Sequence, residues 1–248
     1  MNDSATFDCI IIGAGAAGLM CAAAAGQRGR SVLVLEHANK VGKKILMSGG
    51  GRCNFTNLVV EPDNFLSANP HFCKSALSRY TQHDFLDLVD RYQLSYHEKA
   101  RGQLFCDEKA MDILDILLAE CASGGAKIQT HTSVETIAKA GDGAFELVTN
   151  KGAYRCHSLV IATGGLSIPT MGASDFGYRV ARQFGLNTSS VLWASGCDRP
   201  RSSADGASMA RSGANARSMA SRSQARTRDV VESAEQLDVF ADCEIGIE

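Results

Sequence analysis

No C-x-x-C pair occurs among the nine cysteines, which stand at positions 9, 21, 53, 73, 106, 121, 156, 197 and 243. Their odd number and scattered spacing suggest neither a disulfide framework nor a zinc ribbon. The six histidines form no H-x-x-x-H pair, so no metal site is read from them. Charge of one sign is not in excess either: a formal net charge of −2 gives no electrostatic reason to expect nucleic acid or an anionic membrane as a partner. The first eight residues carry no lysine or arginine, so the basic start of a secretory leader is missing. The apolar run Cys9–Ile12 is broken by Gly13, far short of a bilayer span. The expectation is a cytoplasmic protein whose cysteines mostly serve as small buried hydrophobes in a reducing compartment.

What is present is ordinary in bulk and specific in pattern. The 248 residues, 45% hydrophobic and 21% charged, suit a globular chain of one large domain or two modest ones. FDCIII at 7–12 reads as a strand buried on both faces of a parallel sheet, AAGLMCAAAAGQRG at 16–29 as a helix, and SVLVLE at 31–36 as a second buried strand. Residues 38–58, dense in Gly, Ser, Asn and Lys, read as an irregular loop. A helix is expected over 71–92 and another over 108–121, where Met111, Leu114, Leu118 and Cys121 share a stripe. A strand-rich stretch follows (AKIQTH, SVETIAK, AFELVTN, AYRCHSLVIA), with turns at Gly141–Gly143 and Asn150–Gly152. A short helix is expected over 175–185.

After about residue 187 the composition changes. Between 202 and 228, Ser, Ala and Arg supply 19 of 27 residues, and Met209 and Met219 are the only large apolar side chains. Such a segment cannot bury enough apolar surface to offset its ordering entropy. Residues 188–248 are therefore expected to form a low-complexity, disordered tail. Two origins compete, a natural extension and a shift of reading frame, and the abrupt change favours the second.

The chemistry is concentrated in Gly13-Ala14-Gly15-Ala16-Ala17-Gly18, set between a strand and a helix. In a G-x-G-x-x-G turn the first glycine makes the tight bend, the second admits a pyrophosphate, and the third lets the helix pack on the strand. The helix N-terminus offers free N–H groups and partial positive charge to the phosphates. Glu36, at the end of the second strand, is placed to accept from ribose hydroxyls, and its charge disfavours a 2′-phosphate and hence NADP. NAD and FAD remain open on this motif alone.

The segment Gly42-Lys43-Lys44-Ile45-Leu46-Met47-Ser48-Gly49-Gly50-Gly51-Arg52-Cys53-Asn54, continuing to Asn57, is the most distinctive. With the first motif, GQLFC at 102–106 and ATGGLSIPTMGAS at 162–174, it resembles the HI0933-like family of FAD-dependent oxidoreductases over residues 6 to 187. That resemblance implies an α/β fold with a doubly wound parallel sheet and a β-meander, and FAD as cofactor. It implies that Lys43, Lys44, Ser48, Gly49, Gly50, Arg52, Cys53 and Asn54 line the flavin side, with Val134, Thr163 and Gly164 completing the site and His37 beside Glu36. For Lys43 and Lys44 a solvated pair is the alternative; for Val134, a core valine.

Cys53 beside a flavin invites a redox reading, but no second cysteine is close in sequence, so packing is the expected role. Cys106 is read in the same way. His37, His71, His83 and His97 are read as surface residues or satisfied partners rather than catalytic bases, and no general acid or base is assigned. The function expected is hydride transfer between FAD and a small organic substrate, with NAD(P)H as a candidate electron donor. The rival readings are an inactive, truncated dinucleotide-binding fragment and an NAD-dependent dehydrogenase. A flavin-dependent RNA-modifying protein finds no support in the charge or in any basic–aromatic pattern.

Overall fold

The computed structural model describes residues 4–65, 69–166 and 174–188. The low-complexity stretch from residue 189 onward and residues 167–173 of the second glycine motif lie outside the described residues.

In chain order the elements are β1 (Ala5–Ile12), α1 (Ala16–Gln27), β2 (Val32–Leu35), α2 (Lys43–Met47), β3 (Asn54–Asn57), α3 (Lys74–Arg79), α4 (Gln82–Arg91), β4 (Tyr96–Glu98), β5 (Gln103–Cys106), α5 (Met111–Ser123), β6 (Lys127–Gln129), β7 (Val134–Lys139), β8 (Phe145–Thr149), β9 (Gly152–Ile161) and α6 (Phe176–Gln183). The main sheet runs β6-β2-β1-β9-β8-β7. Its first four strands are parallel, and β8 and β7 turn antiparallel. The parallel half and the meander are those expected from the sequence, and β9 enters the centre beside β1.

Alternation along the strands divides the core in two. Cys9 and Ile11 of β1, Val32 and Val34 of β2 and Val160 of β9 face α1 and α5. Ile10, Ile12, Leu33, Leu35, Leu159 and Ile161 face the opposite way, with Phe145, Leu147 and Val180 of α6. This is why the parallel strands read as unbroken apolar runs: both faces are covered.

A second, three-stranded antiparallel sheet, β3-β5-β4, packs at the edge of the first cluster. It corrects the reading of residues 38–58 as a loop. Gly42, in a left-handed conformation at φ 65°, starts α2; a 3-10 turn follows over Ser48–Gly51, and Asn54–Asn57 is a strand. The glycines there are hinges between short elements. The helix expected over 71–92 is two helices. Thr81 caps the second, its hydroxyl accepting from the Asp84 N–H while the Asp84 carboxylate accepts from the Thr81 N–H at 2.6 Å. This reciprocal cap holds Thr81 in an extended conformation, which ends the first helix. The strand AKIQTH shortens to β6 and joins the parallel edge beside β2 rather than the meander.

Candidate cofactor site

A cavity of about 740 Å³ opens at the carboxyl ends of β1, β2 and β9, where α1 begins. Such a crevice is the usual ligand position in an open α/β sheet. Three local devices build it. Gly13 has φ 108°, and a Cβ there would stand 2.3 Å from the Ala162 carbonyl oxygen, so β1 and the end of β9 approach as only glycine allows. A Cβ on Gly18 would stand 2.0 Å from the Gly13 carbonyl oxygen, so this glycine seats α1 on its own turn. At Gly15 a Cβ would meet no protein atom within 4 Å. Gly15 is the N-cap of α1, with no side-chain cap and no acidic residue in the first turn, and Gly15 and Ala16 line the cavity. That arrangement suits an anion.

Glu36 closes one side of this loop. Its side chain is 11% exposed, with Oε2 accepting from the Ala14 N–H at 2.9 Å and Oε1 from the Ala38 N–H at 2.8 Å. His37 Nδ1 stands 3.1 Å from Oε1. The carboxylate thus braces the glycine loop as well as facing the cavity. Oε2, with one donor, still has a lone pair free for a hydroxyl.

The segment from α2 through the 3-10 turn to β3 adds Lys43, Lys44, Ser48, Cys53, Asn54 and Phe55 to the lining, and α4 adds Phe85. The Ser48 hydroxyl donates to the Ile45 carbonyl at 2.8 Å. The Asn54 Oδ1 is buried without a hydrogen-bond partner. A buried amide oxygen left unpaired costs roughly 1–3 kcal/mol, which marks it as awaiting a donor. The lining fits a dinucleotide on two counts: the uncapped N-terminus of α1 for phosphate and the Glu36 carboxylate for a hydroxyl.

Of the residues singled out from the sequence, Gly13, Ala14, Gly15, Ala16, Glu36, His37, Lys43, Lys44, Ser48, Cys53, Asn54, Val134 and Thr163 line this one cavity. Ala17, Gly18, Gly49, Gly50, Arg52 and Gly164 do not line it. Gly49 is held at φ 57° with the Phe105 ring against it, where a Cβ would stand 2.6 Å from the ring edge. Its part is to shape the turn that presents Ser48 and Asn54. The sequence reading missed Thr132, Ser133, Phe176 and Arg179. Thr132 and Ser133 directly precede Val134 at the entry to the meander, and that adjacency was the available signal. Arg179 has none, because α6 reaches the site through the fold.

Burial pushes the Cys53 thiol up, and it pushes the Cys106 thiol up to about 12, aided there by the neighbouring Cys53 and Asp112. Among the described residues no cluster of His, Cys, Asp or Glu could hold a metal ion. No described helix is long and apolar enough to cross a membrane.

Comparison with known proteins gives the site a context. The model of the HI0933-like protein Rossmann domain matches residues 7–239, reaching past residue 187 into the low-complexity stretch. A ribosomal RNA dihydrouridine synthase of Escherichia coli K12 is 58% identical over 181 residues, covering 73% of this chain and 45% of that protein. A 3-dehydro-bile acid delta(4,6)-reductase of Clostridium scindens is 29% identical over 186 residues, again covering 73% of this chain and 45% of its own length. The chain therefore spans about half the length of the curated relatives it matches. Among solved structures, a 3-ketosteroid-delta4-(5alpha)-dehydrogenase from Rhodococcus jostii RHA1 aligns with a TM-score of 0.50 at 17% identity, covering 67% of this chain and 47% of that one, which is a likeness of fold.

Proposed function

The chain belongs to the HI0933-like family, and on that premise we propose that it is the FAD-binding portion of a flavin-dependent reductase. The observation that carries this reading is that the uncapped N-terminus of α1, the Glu36 carboxylate and the Lys43–Asn54 segment line one cavity. The α1 N–H groups hold the pyrophosphate, Glu36 accepts from the adenosine ribose, and Thr132–Val134 border the adenine. Lys43 and Lys44 would offer positive charge to the cofactor's phosphates, and Asn54 would border it. Bound FAD supplies the hydride.

The names of the relatives narrow the reaction. One reduces uridine in ribosomal RNA, the other a steroid Δ4,6 system beside a 3-oxo group, and both chemistries saturate a ring double bond conjugated to a carbonyl. We propose the same reaction class here, a hydride to the β-carbon and a proton to the α-carbon. At 58% identity the favoured substrate is a uridine of ribosomal RNA. This departs from the expectation of a small substrate and no nucleic acid. NAD(P)H is the proposed electron donor. We propose a reducing, cytoplasmic setting for the chain.

The test is an absorption spectrum of the purified chain before and after FAD is added. A bound flavin band that bleaches with NAD(P)H supports the reading. A chain that stays colourless at saturating FAD overturns it and favours the inactive-fragment alternative, to which the 45% coverage of the relatives lends weight. For the substrate, loss of dihydrouridine from ribosomal RNA when the gene is deleted is the expected result, and unchanged dihydrouridine rejects RNA.

A further inference from the structure

Part of the cavity lining is a connecting segment rather than a regular element. Thr132 and Ser133 lie between β6 and β7, and with Val134, the first residue of β7, they line the cavity together with Glu36. The N–H and C=O groups of such a segment need partners, and here two sets of bonds supply them. One set ties it to the chain that follows β2. The His131 N–H donates to the Ala38 carbonyl at 3.0 Å, and the Thr132 N–H donates to the Glu36 carbonyl at 2.9 Å. The other set comes from the turn between β8 and β9.

At that turn the Asn150 side chain makes a two-ended clasp. Its Oδ1 accepts from the Ser133 N–H at 2.9 Å, and its Nδ2 donates to the His131 carbonyl at 3.1 Å. The Asn150 N–H donates to the Ser133 carbonyl at 3.2 Å. Next to it, the Lys151 ammonium donates to the Thr130 carbonyl at 2.6 Å. Asn150 itself is exposed and does not line the cavity.

The clasped segment is in a conformation it would not keep alone. His131 stands at φ 53°, a left-handed conformation that costs a non-glycine residue about 1–3 kcal/mol and persists only where surrounding bonds over-determine it. The segment is also coupled to the glycine loop. The Glu36 carbonyl holds Thr132, while the Glu36 carboxylate accepts from the Ala14 N–H.

We propose that Asn150 is a positioning residue for the cofactor, holding Thr132, Ser133 and Val134 in their binding conformation from outside the cavity. The inference rests on the reading of that cavity as the FAD site. The Ser133 N–H needs an acceptor and the His131 carbonyl needs a donor, and a side-chain amide supplies both. Aspartate keeps the first bond and sets a carboxylate oxygen against the carbonyl at the second. Alanine loses both. The cofactor must then order the segment as it binds, so affinity falls although no contact to the ligand has been removed.

Two measurements on the full purified chain test this. Hydrogen–deuterium exchange without ligand reads the clasp: in N150A the amides of His131, Thr132 and Ser133 should exchange roughly tenfold faster, with β1 and β2 unchanged. Titration with FAD, followed by flavin fluorescence, reads the consequence, and the dissociation constant should rise about tenfold in N150A. N150D should lie between N150A and the parent in both, because it keeps one bond of the two. Parent-like exchange in N150A overturns the proposal. An unchanged dissociation constant in N150A also overturns it, and with a lowered melting temperature reduces Asn150 to a turn residue that only stabilises. N150D matching the parent in both readouts overturns the two-ended clasp. A parent chain that takes up no FAD sinks the flavin reading instead, and the exchange comparison then still decides the clasp.

Discussion

Glu36 does two jobs with one carboxylate, and substitution separates them. In E36Q one oxygen becomes an amide, so either the Ala14 or the Ala38 N–H loses its acceptor, and the ribose loses a charged one. A charge-assisted hydrogen bond contributes about 1.5–3 kcal/mol, so the FAD dissociation constant should rise by about 10- to 100-fold, read by flavin fluorescence titration. Unchanged affinity would remove Glu36 from the site. Gly13 makes a steeper prediction. A Cβ 2.3 Å from the Ala162 carbonyl, on a residue at φ 108°, has nowhere to go because its neighbour is backbone. G13A should cost about 2–4 kcal/mol and lower the melting temperature by roughly 5–15 °C in a thermal scan. Both residues were legible in the sequence, because a glycine triplet between strand and helix, with an acid closing the next strand, is the local pattern a dinucleotide turn requires. The orphaned Asn54 oxygen was not: the sequence placed that residue near a cofactor, but only packing leaves its amide buried and unpaired.

At the scale of elements, the contact between α1 and α5 is set by small residues. A Cβ on Gly26 would stand 2.4 Å from the Gly124 carbonyl oxygen, and the Cys121 thiol donates to the Leu19 carbonyl at 3.2 Å. Gly→Ala inside a helix ordinarily gains about 1 kcal/mol. Here the backbone clash outweighs that gain, and G26A should be less stable than the parent in chemical denaturation; a stabilised variant would show that the helices can part freely. The same pair is tied by Glu120, which accepts from Gln27 Nε2 at 2.7 Å and from the Tyr92 hydroxyl at 2.8 Å. Those bonds, Gln27 first, hold its carboxyl below the usual glutamate range. A lowered folded pKa contributes stability above the unfolded value and loses it as pH falls through the folded one. E120Q should therefore flatten the loss of stability on the acid side of the glutamate range, measured by melting temperature against pH, and an unaltered slope would refute the link. Longer apolar elements such as β1, α1, β9 and α5 announced themselves by pattern. The short ones, α2 and β3–β5, did not. Elements of three to five residues carry too little periodicity to be told from a loop and are stabilised by the pairing of partners distant in sequence.

At the scale of the molecule, the cavity gathers residues from β1, α1, β2, α2, β3, β7 and α6, so a ligand that fills it binds only the folded chain. FAD at about 100 times its dissociation constant should stabilise the chain by about 2.7 kcal/mol. For a domain of this size that is a rise of roughly 5–10 °C in melting temperature. NADP at the same concentration should give less, since Glu36 faces the position of a 2′-phosphate. A flat response to FAD would mean that the cavity does not close on it. The sequence by itself determined the βαβ unit, the parallel sheet with its meander, and the dinucleotide loop. Each of these rests on local pattern: buried runs, a glycine turn, and an acidic residue at the end of the next strand. Only the tertiary structure decided that Lys43, Asn54, Thr132 and Arg179 border one cavity. The physical reason is that these residues sit on α2, on β3, in the loop before β7 and on α6, elements far apart in sequence that only packing brings to one cavity.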